Sequence, residues 1–174
     1  EAGKVPLLDL AVGEGDHFKL GSLDVRVLET PGHTLGHIAY VIDAAGAAFV
    51  GDTLFALGCG RVFEGSPEQM HASLRKLAAL PGETRIYCGH EYTLSNGRFA
   101  LTIEPDNPAL QKRMAEVEAL RKAGKPTLPT TIARELETNP FLRSHVAAIQ
   151  QRLGMSGAPD WQVFAEMRER KNRA

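Results

Sequence analysis

The stretch ETPGHTLGHIAYVID, Glu29 to Asp43, places His33 and His37 four residues apart at a Pro-Gly break between strand-like runs. Imidazoles at such a break can ligate a metal, sit hydrogen-bonded in a core, or recur by chance. Two other residues bear on the choice. Asp52 follows the apolar run AAFVG and His90 follows RIYCG, so His33, Asp52 and His90 each stand just beyond the end of an expected strand. Loops at one edge of a sheet are where α/β proteins gather functional side chains. Two imidazoles and a carboxylate are a donor set preferred by Zn²⁺ and suited to Fe²⁺ or Mn²⁺. Gly32, Gly51 and Gly89 let the backbone turn tightly beside them. Taken singly each residue is weak evidence, since a histidine in a glycine-containing loop is more often structural.

The elements that must position these residues are legible from periodicity. HFKLGSLDVRVLE alternates around a Gly-Ser break with Leu23, Val25 and Val27 on one face, which reads as a hairpin. HIAYVID and AAFVG are short strands joined by AAG, and RIYCG is another after the Pro81-Gly82 turn. SPEQMHASLRKLAAL carries Ser66 as N-cap, Pro67 at the first helical position and Gln69 where a capping box needs it, with Met70, Leu74 and Leu77 at helical spacing. Beyond about residue 104 the character changes. A helical pattern from Asn107-Pro108 to near Gly124 is followed by the linker KPTLP and three further helical patterns, the last carrying Trp161, Phe164 and Met167 or Arg168 on one stripe.

Composition excludes several classes. Of 174 residues, 43% are hydrophobic and 24% charged, as in a globular domain with or without an appendage. Lys and Arg (20) nearly balance Asp and Glu (21), so bulk charge recommends neither nucleic acid nor an anionic membrane, and a small molecule is the expected partner. No apolar run approaches the roughly 20 residues of a membrane-spanning helix, and no signal-peptide order opens the chain. The two cysteines, Cys59 and Cys88, read as reduced thiols in a cytoplasmic compartment rather than as a disulfide.

Three motifs, TPGHTLGH, VGDTLFALGCGRVFEG and YCGHEYTLSNGRFA, resemble successive motifs of the metallo-β-lactamase superfamily, and specifically of glyoxalase II, the hydroxyacylglutathione hydrolases. The resemblance extends over essentially the whole chain, to MRERK near its end. It implies an α/β fold: part of an αββα sandwich over residues 1–104, followed by an all-helical substrate-binding domain over 105–174. It also implies two divalent metal ions, zinc or else iron or manganese, with His33 on the first, Asp52 bridging both and His90 on the second. His37 then supports the loop and is not a ligand, and Asn96 and Phe99 support the loop carrying His90. Arg61, Tyr92, Arg168 and Lys171 would surround a glutathione, and Phe63 stands where many relatives have tyrosine, which removes one hydroxyl contact. Arg168 and Lys171, three apart, share a helix face, and a solvated basic helix end complementing the macrodipole is the alternative account of them.

The resemblance implies hydrolysis of S-(2-hydroxyacyl)glutathione, typically S-D-lactoylglutathione, to glutathione and D-lactate in methylglyoxal detoxification. On that resemblance, ions held at Asp52 would acidify water for attack on the thioester carbonyl, and a thiolate of pKa about 8.5 would leave with little acid help. The family's T-H-x-H-x-D-H motif has no counterpart, since no H-x-H occurs among the six histidines. The chain therefore reads as a C-terminal portion, inactive alone, of an enzyme that is monomeric when intact. Its incomplete sandwich should leave apolar sheet surface uncovered and favour aggregation or pairing. Two alternatives stay open: a persulfide dioxygenase-like mononuclear iron oxidoreductase, against which the helical C-terminal third argues, and a non-catalytic glutathione-binding fragment. His17 and His145 read as surface residues, His71 as structural, Cys59 as a small residue in a tight loop, and Cys88 as buried in an apolar strand.

Overall fold

The computed structural model describes Gly3 and residues 5–174; of the opening run EAGKVPLLDL, Glu1, Ala2 and Lys4 lie outside it. The alternating run forms the hairpin β1 (His17–Leu20) and β2 (Leu23–Glu29), which turns at Gly21. Strands β3 (Ile38–Ile42) and β4 (Ala47–Gly51) follow, joined by a single 3-10 turn, Asp43–Ala45, that ends at a left-handed Gly46. A two-residue hairpin, β5 (Leu54–Phe55) with β6 (Gly58–Cys59), intervenes before helix α1 (Pro67–Ala78) and strand β7 (Arg85–Cys88).

The main sheet runs β1-β2-β3-β4-β7-β8, where β8 is Thr130–Thr131. Neighbours are antiparallel except β4 and β7, which are parallel. Strands β2, β4 and β7 therefore point the same way, and their C-terminal ends share one edge. That edge carries His33, Asp52 and His90.

Helix α1 starts as its sequence dictates. Ser66 and Gln69 each accept the other's backbone N–H, and the helix buries Met70, Leu74 and Leu77 completely against the sheet. Each such side chain contributes about 1.5–3 kcal/mol relative to exposure. Five more helices follow: α2 (Thr93–Ile103), α3 (Pro108–Lys122), α4 (Ile132–Thr138), α5 (Ala147–Leu153) and α6 (Asp160–Arg173). Asn107 caps α3 by accepting from the amides of Ala109 and Leu110.

Two features go beyond the sequence reading or depart from it. TLSNGRFA, to which the sequence pattern assigned no element, lies in α2, and a Cβ at its central Gly97 would fall 2.0 Å from the Met114 sulfur and 2.9 Å from Leu57. The region after residue 104 is also not wholly helical. Prolines keep KPTLP extended, and the β-branched Thr130 and Thr131 then add an edge strand to β7, pairing with Ile86 and Arg85.

The main hydrophobic cluster joins the sheet to most of the helices: Leu28, Ala39, Val41, Ala48, Val50 and Ile86 meet α1, Ile132, Phe141, Ile149 and the α6 residues Val163, Phe164 and Met167, while Leu57, Ala100, Leu110 and Met114 form a second, smaller cluster. Phe141 is the hub of the main cluster, stacked on Phe99 at 5.9 Å and edge-on to Phe164 at 5.8 Å. On the opposite face of the sheet the register aligns Val27, Tyr40, Phe49 and Tyr87 in one row. Phe49 in that row is 44% exposed, whereas Val27 is fully buried and Tyr40 and Tyr87 are partly buried. Among the described residues no helix is long and apolar enough to cross a membrane.

His17 and His145 lie at the surface, whereas His71 is half-buried, shares a hydrogen bond of 3.2 Å with Ser144 Oγ and packs against Phe164. Burial, chiefly, holds its imidazole below the ordinary value, helped by Arg75 and His145 and opposed by Asp160. The folded state thus resists a proton that the unfolded chain accepts at about pH 6.5. This contribution is complete above that pH and is lost as pH falls below it. Urea unfolding at about pH 7.5 and pH 5 should show a smaller acid-induced loss of stability for His71→Gln than for the parent sequence.

Candidate metal centre and substrate cavity

Asp52 is placed by the backbone around it. Gly51, at φ 46°, kinks the chain out of β4, and a Cβ there would lie 2.6 Å from His37 Nε2. The Asp52 N–H donates to that Nε2 at 3.1 Å. A ring nitrogen that accepts carries no proton, so His37 keeps its proton on Nδ1, which faces the hydroxyls of Thr30 at 2.8 Å and Thr53 at 3.1 Å. His37 spends both nitrogens within the protein. Burial first, then the neighbouring His33, lower its pKa, with Asp52 opposing, in keeping with this neutral form.

His33 is fixed in the complementary sense. Its Nδ1 lies 2.9 Å from the Arg61 carbonyl, which only accepts, so Nδ1 carries a proton and the neutral ring leaves Nε2 bare. That bare nitrogen faces Asp52 Oδ2 at 3.4 Å, while His90 Nε2 faces Oδ1 of the same carboxylate at 3.5 Å. With neutral rings whose Nε2 is bare, acceptors oppose one another across each gap, and a cation between them relieves the repulsion. The separation fits one: ligands about 2.0–2.1 Å from a tetrahedral ion are about 3.3–3.4 Å apart. The donor set therefore fits a cation on each side of Asp52, with two protein ligands apiece. Among the described residues no group of three or more candidate ligands surrounds a single point.

The three residues line a cavity of about 630 Å³, and Arg61, Phe63, Tyr92, Arg168 and Lys171 line it too. Tyr92 stacks on the His90 ring at 5.0 Å, and Phe63, 67% exposed, leans on the His33 ring at 5.0 Å. Arg168 is not a solvated helix end: it is buried, donates through Nη1 to the Cys59 carbonyl at 2.9 Å, and lies over Phe141 at 5.3 Å. Lys171 Nζ sits 5.4 Å from the Phe99 ring. Partial burial, then the cations Arg168 and Arg61, push its pKa down, and only Cys59 pulls the other way. Among the described residues Arg61, Arg168 and Lys171 form no salt bridge, and such crowded cations suit an anionic ligand.

Other expectations resolve differently. Asn96 lines the cavity but its amide donates to Ala56 O at 3.1 Å, in the β5–β6 turn, and not to the loop of His90. Cys88 is only half-buried, because its strand ends there and its thiol turns to the His90 carbonyl. Cys59 is buried in the cavity wall, and burial raises its pKa, away from ready thiolate formation. Both cysteines are free thiols. Phe55 and Ser95 also line the cavity; nothing in their local sequence marks them, since a two-residue strand and one polar helical residue carry no period.

Residues 1–90 match the model of the metallo-β-lactamase superfamily, and residues 91–174 match that of the hydroxyacylglutathione hydrolase C-terminus. The hydroxyacylglutathione hydrolase of Chelativorans sp. (strain BNC1) is 56% identical over 172 residues, 99% of this chain and 68% of that protein. The chain belongs to the hydroxyacylglutathione hydrolase family. The hydroxyacylglutathione hydrolase of Brucella anthropi is 58% identical over 99% of this chain and 66% of its own length. The chain thus spans about two thirds of the length of the family members it matches. Among solved structures, ETHE1 from Myxococcus xanthus superposes with a TM-score of 0.62 at 27% identity, over 96% of this chain and 54% of that one. TTHA1623, solved in a di-iron-bound form, superposes with a TM-score of 0.51 at 29% identity, over 79% of this chain and 50% of that one. The metallo-β-lactamase superfamily implies divalent metal ions, in keeping with the donors on either side of Asp52.

Gly60 closes the site from behind, since its N–H donates to Thr53 O and a Cβ at this position would lie 1.9 Å from the Asp52 carbonyl. Backbone cannot yield as a flexible side chain does. Gly60→Ala should cost at least about 2 kcal/mol in urea unfolding.

Proposed function

We propose that the intact protein hydrolyses the thioester of an S-(2-hydroxyacyl)glutathione, such as S-D-lactoylglutathione, as a step of methylglyoxal detoxification, and that this chain supplies part of the metal centre and the thiol-binding wall. The observation that carries the reading is the pairing of each Asp52 oxygen with one imidazole nitrogen inside a cavity rimmed by Arg61, Arg168 and Lys171, which form no salt bridge among the described residues. Family membership supports hydrolysis, and the match of residues 91–174 favours it over a mononuclear iron oxidoreductase.

His33, Asp52 and His90 would hold the ions, zinc being the first choice for such nitrogen and oxygen donors and iron or manganese the alternatives. When bound, divalent ions there acidify water and withdraw charge from a carbonyl oxygen. The protein's own part is positional. The Arg61 carbonyl keeps the His33 proton away from Nε2, and His37 orients Asp52 through its backbone. Arg61, Arg168 and Lys171 would receive the carboxylates of glutathione, while Phe63 and Tyr92 flank the imidazoles and limit water. The departing thiolate, a weak base, needs no dedicated acid in this cavity.

Two experiments test this. Because each ion meets only two ligands from this chain, zinc titration of the 174-residue protein should show weak uptake; stoichiometric, tight binding of two ions contradicts the assignment. In a longer protein in which an H-x-H-x-D-H segment is joined ahead of residue 1, Asp52→Asn should lower thioester hydrolysis at least about a thousandfold, and near-normal turnover rules out the bridging role. In the same protein Lys171→Ala should raise KM roughly tenfold with kcat little changed.

A further inference from the structure

We infer that Glu135 and Asn139, residues of the helical region that do not line the cavity, form a clamp that shapes the β5–β6 turn and so positions the cavity wall at Cys59, Gly60 and Arg61. The inference rests on the reading of that cavity as the thioester site.

Glu135 and Asn139 are both fully buried. The Glu135 carboxylate is surrounded by donors alone. On Oε1 it accepts from Arg113 Nη2 and, at 2.6 Å, from Thr130 Oγ1; on Oε2 it accepts from the Leu57 amide at 2.9 Å and from Asn139 Nδ2 at 3.0 Å. Arg113 is itself held, donating to Thr130 Oγ1 at 2.8 Å and to Arg134 O at 3.2 Å. Asn139 shares its amide further with the carbonyls of Phe55 at 3.2 Å and Gly58 at 2.9 Å. The clamp therefore reaches the turn at residues 55, 57 and 58, about eighty positions upstream in the chain.

The turn needs such an anchor. Leu57 at its tip has φ 60°, a left-handed conformation that a branched apolar side chain avoids, yet its side chain is fully buried between α2 and α3. On either side the turn touches both ends of the proposed chemistry. Phe55 packs edge-on against Tyr92 at 5.6 Å and near the His90 ring at 6.1 Å, while the Cys59 carbonyl accepts from Arg168. A relaxed Leu57 would shift both contacts. Glu135 and Asn139 are thus positioning residues for ligand binding, acting through backbone they grip and not through substrate.

Glu135→Gln keeps the shape but turns an NH₂ toward surrounding donors. The test compares it with Ile149→Ala, a change to a buried core residue that makes no hydrogen bond to the turn, in the 174-residue protein. Amide exchange is followed over residues 55–61, and binding of S-methylglutathione, a non-hydrolysable thioether, is measured by calorimetry. In Glu135→Gln, exchange in the turn should quicken at least tenfold more than in Ile149→Ala, and the thioether Kd should rise roughly tenfold. Equal exchange in the two variants, or unchanged thioether affinity in Glu135→Gln, overturns the clamp. Wild-type protein that binds no thioether while the exchange difference persists supports the clamp and counts against the functional reading instead. Should Glu135→Gln not fold, Thr130→Val removes one donor to the same carboxylate and must give the same pattern at smaller size; its absence overturns the inference.

Discussion

Strand direction is the constraint on which this molecule depends. Because β3 is antiparallel to both of its neighbours and β7 is parallel to β4, three strands distant in sequence release their chains at one edge. An imidazole, a carboxylate and a second imidazole then meet without any local sequence proximity. Reversing β7 would send His90 to the far edge and leave Asp52 with one partner. The parallel crossover from β4 to β7 runs through α1, whose capping box and apolar stripe hold that arrangement against the sheet.

Around this edge the site is built by assigning protons. The Arg61 carbonyl and the Asp52 amide, groups that can only accept or only donate, fix the tautomers of His33 and His37 in opposite senses. Two histidines four apart in one loop thereby acquire different tasks, one leaving a bare nitrogen toward Asp52 and the other spending both nitrogens on the backbone and on threonine hydroxyls. Neutrality of His37 is part of this arrangement, because a second proton would displace the hydrogen bond that orients Asp52.

Much of this was legible in the sequence, and for physical reasons. Ser66 with Gln69, and Asn107 with Pro108, are local signals whose partners lie within one turn, so α1 and α3 start where their residues say. The strand ends bearing His33, Asp52 and His90 follow from apolar runs cut by glycine. What the sequence concealed depends on distant partners. Helix α2 is masked by a central glycine that sits close against Met114, β5 and β6 are too short for periodicity, and β8 exists only because β7 offers an edge. The alternative account of Arg168 as a solvated helix end fails because the Cys59 carbonyl, 109 residues away, supplies its partner. Glu135 likewise reads as an ordinary helical surface acid, since nothing nearby in TIARELETNP announces the Leu57 amide.

The continuous core has a further consequence. Phe99, Phe141 and Phe164 join the helices to the same cluster that covers the sheet, so the segments on either side of residue 90 do not own separate interiors. Neither segment can melt while the other keeps its packing. Heating should therefore give a single calorimetric transition, and a cut between them would yield two pieces that each expose half of a shared interior.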